Sequence, residues 1–355
     1  MILKNLKLTH FKNHENASFN FNGRINCVVG KNGTGKTNLL DAIYYLSFTK
    51  SAVGSSDRLV INHEQNAFTI FGTYDDFTEA LQFEKGKAKI IKVDGEEQEK
   101  LRDIIGRVPL VIVLPDDTSM IKEGSEERRK FFDGAICQFN QEYLEMLLSY
   151  NKLLKQRNSL LKQNDGGSIN YKLVETYDDQ LIPFSKEISN YRSQIASSFL
   201  PFLEKNYKDL HDGKETPSLV FKTHVNNDFE ELFKANFHKD QLMQRTLMGC
   251  HKDDFEFMLD NQAIKKFGSQ GQQKTFIISL KLALYDFLSD KIDKKPLLLL
   301  DDIFDKLDDS RIKLLVALLI DQKRFGQIFI TDARKDRSKE LLNMDKEVNF
   351  IELTT

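Results

Sequence analysis

Gly30-Lys31-Asn32-Gly33-Thr34-Gly35-Lys36-Thr37 matches the phosphate-cradling pattern G-x-x-x-x-G-K-[ST], and the residues on either side decide how it is read. Upstream, Ile25-Asn26-Cys27-Val28-Val29 predicts a short buried strand. Downstream, Leu39, Leu40, Ile43, Tyr44 and Leu46 recur at helical spacing between Asn38 and Phe48. Phosphate binding requires such a strand, loop and helix: glycines let successive N–H groups turn onto the phosphates, and the helix start adds its positive end. In this pattern Lys36 reaches the outer phosphates and Thr37 ligates magnesium. The bland alternative is a glycine turn with an incidental lysine, and the flanking strand and helix weigh against it. Gly30, Lys31, Asn32, Gly33, Thr34, Gly35, Lys36, Thr37 and Asn38 are therefore the expected contacts of a nucleoside triphosphate, ATP, with Mg2+.

With 355 residues, 40% of them hydrophobic, the chain is long enough for two domains, each with a core. Lys+Arg 51 against Asp+Glu 53 gives a net charge of -2, so any nucleic-acid binding has to come from a local patch or an assembled cleft. Residues 1–11 alternate and carry Lys4, Lys7 and His10, unlike a signal peptide, and no apolar run approaches a membrane span. Cys27, Cys137 and Cys250 are far apart and form no C-x-x-C, which suits a reducing compartment and argues against a structural metal. The plain expectation is a cytoplasmic protein with no membrane partner.

The ends of the chain read as α/β. Ile2, Leu6, Leu8 and Phe11, then Ala17, Phe19 and Phe21, predict strands that turn through Asn22-Gly23 toward the phosphate loop. Residues 68–74, 81–83 and 90–93 predict a short antiparallel insert, and 108–114 a further apolar strand. Near the other end, 280–288 predicts helix, Leu297–Leu300 strand, 312–320 helix and 327–331 strand. Between them, from about 126 to 203, the period is helical. One leg is marked by Tyr143, Leu147, Tyr150 and Leu154. A second carries a seam of Tyr177, Leu181, Phe184, Ile188, Tyr191 and Ile195, and the two join through Asn164-Asp165-Gly166-Gly167-Ser168. Pro183 predicts a kink or a helix start in the second leg. Lys152, Lys155, Arg157 and Lys162 bias the first leg toward basic; a solvated helix face is the ordinary reading, a DNA contact the sharper one. The expected organisation is a discontinuous nucleotide-binding domain, 1–120 with 246–355, and a helical lid over 121–245 with a short antiparallel hairpin.

Two further pieces extend the site. Leu297–Leu300 ends in Asp301-Asp302; beside a phosphate loop, Asp301 holds magnesium and Asp302 addresses the attacking water, although acidic residues after a strand also serve as caps. Ser269-Gln270-Gly271-Gln272-Gln273-Lys274 opens the preceding helix, and a serine cap over an exposed glycine backbone is a second phosphate-ready helix start. One subunit already has a phosphate loop, so this second one makes sense against a nucleotide held by another copy.

The combination resembles the ABC-type ATPase heads of the SMC and RecN class. With Phe11-Lys12-Asn13-His14, Glu126-Glu127-Arg128-Arg129-Lys130-Phe131-Phe132-Asp133 and His251-Lys252-Asp253-Asp254 in the same order and spacing, it resembles the bacterial RecF family over essentially the whole chain. That resemblance implies an α/β ABC-type P-loop ATPase head built from both chain ends, with an inserted, mainly helical lid. It also implies an ATP-dependent DNA-binding protein of replication and recombinational repair, acting at gaps or junctions of single- and double-stranded DNA. Its expected partners are RecO and RecR, in loading RecA, and a second copy. ATP would be sandwiched between the loop of one subunit and Ser269, Gln270, Gly271 and Gln272 of the other, with Lys36 and Asp302 catalytic and Thr37 and Asp301 on the metal. Leu307-Asp308 resembles the loop that reports across such a dimer, and Thr331 stands at a switch position. Lys274 and Lys252 replace arginines usual in the family and Cys250 a frequent proline, so bidentate contacts at the two lysines are not expected. Asp302 is one methylene shorter than the glutamate of most ABC ATPases, which predicts slow hydrolysis. A transporter-energising ATPase and a P-loop phosphotransferase are the competing readings. Neither has an evident use for both the helical hairpin and the late serine–glycine helix start.

Overall fold

The computed structural model describes residues 1–54, 56–162, 171–211, 213–305, 307–342 and 348–354. The alternating apolar residues at the start form β1 (Leu3–Phe11), which turns back as β2 (His14–Asn20). The wholly buried β3 (Ile25–Val29) leads through the glycine loop into α1 (Lys36–Phe48). A meander follows: β4 (Ala67–Tyr74), β5 (Thr78–Glu84), β6 (Ile90–Val93) and β7 (Glu96–Glu97), and then the buried β8 (Leu110–Val113). The helical middle comprises α2 (Ser119–Lys122), α3 (Ser125–Cys137), α4 (Gln141–Lys162) and α5 (Tyr171–Leu210). After it come β9 (Pro217–Lys222), α6 (Phe229–Ala235), α7 (Phe237–Leu242), β10 (Asp254–Leu259), β11 (Gln262–Ala263) and α8 (Ile264–Phe267). The chain closes with α9 (Gln270–Lys291), β12 (Leu297–Leu300), α10 (Asp309–Ile320), β13 (Ile328–Asp332), α11 (Lys335–Leu342) and β14 (Val348–Glu352).

Two compact units result, one of 1–117, 205–213 and 274–355, the other of 118–204 and 214–273. The first contains a parallel sheet in the order β14-β3-β13-β12-β8 and an antiparallel sheet in the order β2-β1-β4-β5-β6-β7. A parallel strand covered on both faces has to be apolar throughout, and β3, β8, β12 and β13 are buried at every position. Helix α1 is buried through Leu39, Leu40, Ile43 and Leu46 in one cluster with Leu6, Leu8, Phe68 and Ile70 of the antiparallel sheet and Leu299 and Phe329 of the parallel one. Phe11, Tyr45 and Phe68 meet edge to face at the centre of it. Each such side chain contributes about 1.5–3 kcal/mol on full burial.

The division differs from expectation at its later boundary. Residues 246–273, expected with the nucleotide-binding domain, pack in the helical unit because β10 pairs with β9 from Asp254↔Lys222 to Leu259↔Pro217. Conversely, 205–213, expected in the lid, belong to the first unit, where Asn206 donates to Asp286 at 2.9 Å.

In the helical unit α5 does not start at Pro183: it runs from Tyr171 to Leu210 with Pro183 and Pro201 inside it. Its inward stripe includes Asp178, Ser185, Ser189 and Arg192 beside Leu181, Ile188 and Ile195, while Tyr177, Phe184 and Tyr191 of the expected seam are half-buried. The expected hairpin loop at 164–168 lies outside the described residues. Arg157 is corrected outright as a candidate DNA contact. It is fully buried and donates to Asp178 (2.6 Å), Asp240 (2.7 Å) and Thr246 (2.9 Å); Lys152, Lys155 and Lys162 stay exposed. A second buried arginine, Arg192, grips Asp133 (2.8 Å) and Asp253 (2.9 Å). Among the described residues no helix is long and apolar enough to cross a membrane.

Candidate nucleotide-binding site

Register brings the site together. β3, β13 and β12 run parallel with Cys27 beside Ile330 and Ile330 beside Leu300, so the segments leaving all three strands emerge at one edge of the sheet. Ligands of open α/β sheets bind at that carboxyl edge. The glycine loop leaves β3 there. A Cβ on Gly30 would stand 2.6 Å from the Leu353 carbonyl oxygen. Gly35 has φ 98°, and a Cβ on it would stand 2.6 Å from the Asn13 side chain, so both positions demand glycine. Lys36 is buried and folds its ammonium back onto the Gly30 (2.8 Å) and Lys31 (3.1 Å) carbonyls, in the hollow of the loop. Helix α1 begins with neither a side-chain cap nor an acidic residue in its first turn, leaving its positive end open to an anion.

At the same edge Thr37 Oγ1 donates to Asp301, 2.8 Å from Oδ2. Thr331 Oγ1 donates to Asp301 Oδ1 at 2.7 Å and accepts the Asp302 N–H at 2.9 Å. Burial pushes the Asp301 carboxyl up from its ordinary range, against the pull of hydrogen bonds from Thr331 and Thr37 and the nearby charge of Lys36. Burial and the charge of Asp301 push Asp302 up as well. Asp302 has φ 45°, a left-handed conformation that costs a non-glycine residue about 1–3 kcal/mol, and its buried Oδ1 takes no hydrogen bond among the described residues. Two adjacent carboxylates held up in pKa, one oxygen unsatisfied, beside a threonine hydroxyl suit a hard divalent cation. Magnesium typically takes one or two carboxylates and completes its shell with phosphates and water, so the donor set fits.

Phe11-Lys12-Asn13-His14 turned out to brace this loop, a contact the sequence did not reveal. Asn13 donates to the Gly33 carbonyl (3.4 Å) and accepts from Asn38 (2.7 Å); His14 Nε2–H donates to the Gly35 carbonyl (3.2 Å). Burial lowers the His14 pKa, against the pull of its hydrogen bond to Gly35. Lys12 pairs with buried Asp41 at 2.7 Å, and Asp41 also accepts from Ser51 and from the Ala52 N–H.

Gly30 to Asn38, Asp301, Asp302 and Thr331 all belong to the first unit; Ser269, Gln270, Gly271 and Gln272 belong to the second. There the serine start is a reciprocal capping box: Ser269 Oγ accepts the Gln272 N–H (3.2 Å) and Gln272 Oε1 accepts the Ser269 N–H (2.7 Å). Gln272 also donates to Glu215 at 2.7 Å, and Ser269 and Gln270 are exposed. In His251-Lys252-Asp253-Asp254 the acids are paired internally, Asp253 with Arg192 and Asp254 with Arg128 at 2.8 Å; Lys252 is exposed.

Comparison with known proteins bears on this geometry. Residues 2–105 match the RecF/RecN/SMC N-terminal domain. The chain superposes on an Smc head bound to the C-terminal winged-helix domain of ScpA with TM-score 0.56 and 15% identity, covering 96% of this chain and 91% of that one. The fold is thus that of the ATPase heads of the ABC and SMC class. Within that class the sequence is 42% identical over 344 residues to the DNA replication and repair protein RecF of Cytophaga hutchinsonii, covering 95% of this chain and 91% of that one. It is 41% identical over 355 residues to RecF of Flavobacterium johnsoniae, covering 96% and 97%. A solved structure of the recombination mediator protein RecF with ATP superposes with TM-score 0.84 at 28% identity, covering 94% of this chain and 92% of that one. The chain belongs to the RecF family of DNA replication and repair proteins.

Proposed function

We propose that this chain is a cytoplasmic ATP switch that closes two copies around DNA during replication and recombinational repair. The observation that carries the reading is the hollow loop of Gly30–Thr37. Its buried Lys36 donates to loop carbonyls, and its Thr37 is joined through Asp301 to Thr331. The solved structure of the recombination mediator protein RecF with ATP, a protein of the RecFOR pathway, supports the same reading. Phosphate oxygens entering the loop take over the Lys36 ammonium and the open N–H groups of α1. Thr37 and Asp301 would hold magnesium, which neutralises phosphate charge when bound. Asp302 orients the attacking water. Its short side chain makes hydrolysis slow, so that turnover times release. The exposed Ser269 and the half-buried Gly271 of a second copy close over the triphosphate, which makes assembly depend on ATP. DNA at gaps or single/double-strand junctions and the partners RecR and RecO complete the proposal; membership of the RecF family speaks against transporter and phosphotransferase roles.

Size-exclusion chromatography with and without ATP tests the switch: dimer with ATP, monomer without, and monomer throughout for Lys36→Ala. DNA binding measured at two salt concentrations should weaken steeply with salt, because phosphates are being neutralised. Binding to gapped duplex that ignores both ATP and salt would defeat the reading.

A further inference from the structure

Asp302 sits in a left-handed turn and, among the described residues, its buried Oδ1 takes no hydrogen bond, yet the backbone around it is held from two directions. On one side its N–H is bound by Thr331; on the other, the Asp305 N–H donates to the Asp302 carbonyl at 3.3 Å and closes the turn. The Asp305 carboxylate is in turn gripped by α11 and the residue before it: Arg337 Nη1 at 2.7 Å and Arg334 Nη2 at 3.1 Å donate to the same oxygen. Arg337 is itself immobilised. Its Nε (3.1 Å) and Nη2 (2.5 Å) reach the two oxygens of Asp332, the last residue of β13, and its guanidinium lies 5.9 Å from the centre of the Phe304 ring. Asp332 is buried, and also accepts from Ser338 Oγ (2.5 Å) and the Arg334 N–H (3.0 Å). All three guanidinium nitrogens are therefore committed to two carboxylates. One carboxylate belongs to the sheet and the other to the turn carrying Asp302, a bridge that needs the planar fork of arginine.

We propose that Arg337 is a positioning residue for ATP hydrolysis: by tying Asp305 to Asp332 it latches the turn that aims Asp302. The proposal rests on the reading of Asp302 as the group that orients water. Because the two arginines face two aspartates, the latch has no surplus charge for a ligand, and its effect is mechanical. Lysine cannot replace it, since one ammonium cannot span both carboxylates in the same plane.

The test uses the full chain and four variants: Arg337→Met, Arg337→Lys, Asp305→Asn, which cuts the latch at its exposed side, and Asp302→Ala. Three quantities are measured. They are hydrogen exchange of the backbone at 302–305 without nucleotide, equilibrium binding of a non-hydrolysable ATP analogue, and steady-state turnover. Arg337→Met and Asp305→Asn should speed exchange at 302–305 about tenfold, keep analogue affinity and KM within about twofold, and lower kcat about tenfold or more. Arg337→Lys should recover little of kcat. In the Asp302→Ala background, adding Arg337→Met should cost nothing further, because the latch acts only through Asp302. Unchanged exchange at 302–305 overturns the latch, whether or not the chain hydrolyses ATP. A further loss of kcat in the double variant overturns the route through Asp302. Wild-type turnover in Asp302→Ala alone overturns both the role of Asp302 and the proposal built on it.

Discussion

Replacing Thr331 by valine removes one hydroxyl and almost nothing else. The side chain is fully buried in β13, valine has its shape, and the strand pairing at this position uses only backbone. The hydroxyl makes two bonds, one to a carboxylate at 2.7 Å and one from the Asp302 N–H at 2.9 Å. A hydrogen bond to a charged group contributes about 1.5–3 kcal/mol, and a buried N–H left unmade costs about 1–3 kcal/mol. Part of that is recovered, because Asp301 keeps Thr37 as donor. The expected net loss is about 3 kcal/mol. Thr331→Ser keeps both bonds and loses one methyl, for about 1 kcal/mol. Urea unfolding at pH 7 followed by far-ultraviolet circular dichroism compares the two. Valine should lower the midpoint clearly more than serine with the slope unchanged. Equal losses for valine and serine, or a valine loss under about 1 kcal/mol, would show that the hydroxyl does not hold the acidic turn in place.

His251 should give the helical unit an acid limit. Its Nε2 faces the Thr246 carbonyl at 3.0 Å, which can only accept, so that nitrogen carries the proton and Nδ1 accepts from Tyr150 at 2.6 Å. Burial first, then the charges of Lys252, Arg129 and Arg192, lower its pKa to about 4. The neutral ring is thus favoured in the fold: stability is complete above about pH 6.5 and lost as pH falls toward 4, by about 3 kcal/mol, and His251→Gln should remove that slope in acid titrations of stability. Glu79 should act in the opposite sense. Wholly buried, with neither carboxylate oxygen hydrogen-bonded among the described residues, it is pushed up to about 8 by burial despite Arg107, so the fold keeps a proton that the unfolded chain releases above about pH 4.5. Stability should fall by on the order of 4 kcal/mol between pH 5 and 8 relative to Glu79→Gln, read as a difference in unfolding midpoints across pH. Gly35→Ala combines a left-handed φ with a 2.6 Å approach to Asn13 and should weaken ATP binding by about 100-fold in equilibrium dialysis while leaving the helical unit folded.

Which of these features could be read in advance follows from how far apart their partners lie. The parallel strands were legible because burial on both faces forces an unbroken apolar run, as in Leu297–Leu300, and the glycine loop because steric demands on Gly30 and Gly35 are written at fixed local spacing. The separation of the two units was legible only in outline: β10 joins β9 across more than thirty residues, and nothing within 246–273 announces that pairing. Charged side chains were the least legible of all. Arg157 directly follows exposed Lys155 and Gln156 in the chain, and Asp178, Asp240 and Thr246, 21, 83 and 89 residues away, make it a buried hub rather than a DNA contact. Arg337, half-buried in the first unit, is likewise defined by its partners Asp305 and Asp332, 32 and 5 residues away. An arginine's role is set by the carboxylates that tertiary folding brings to it, and since burying an unpaired guanidinium is prohibitive, each such arginine has to be matched to its acids in space before it is counted as surface charge available to DNA.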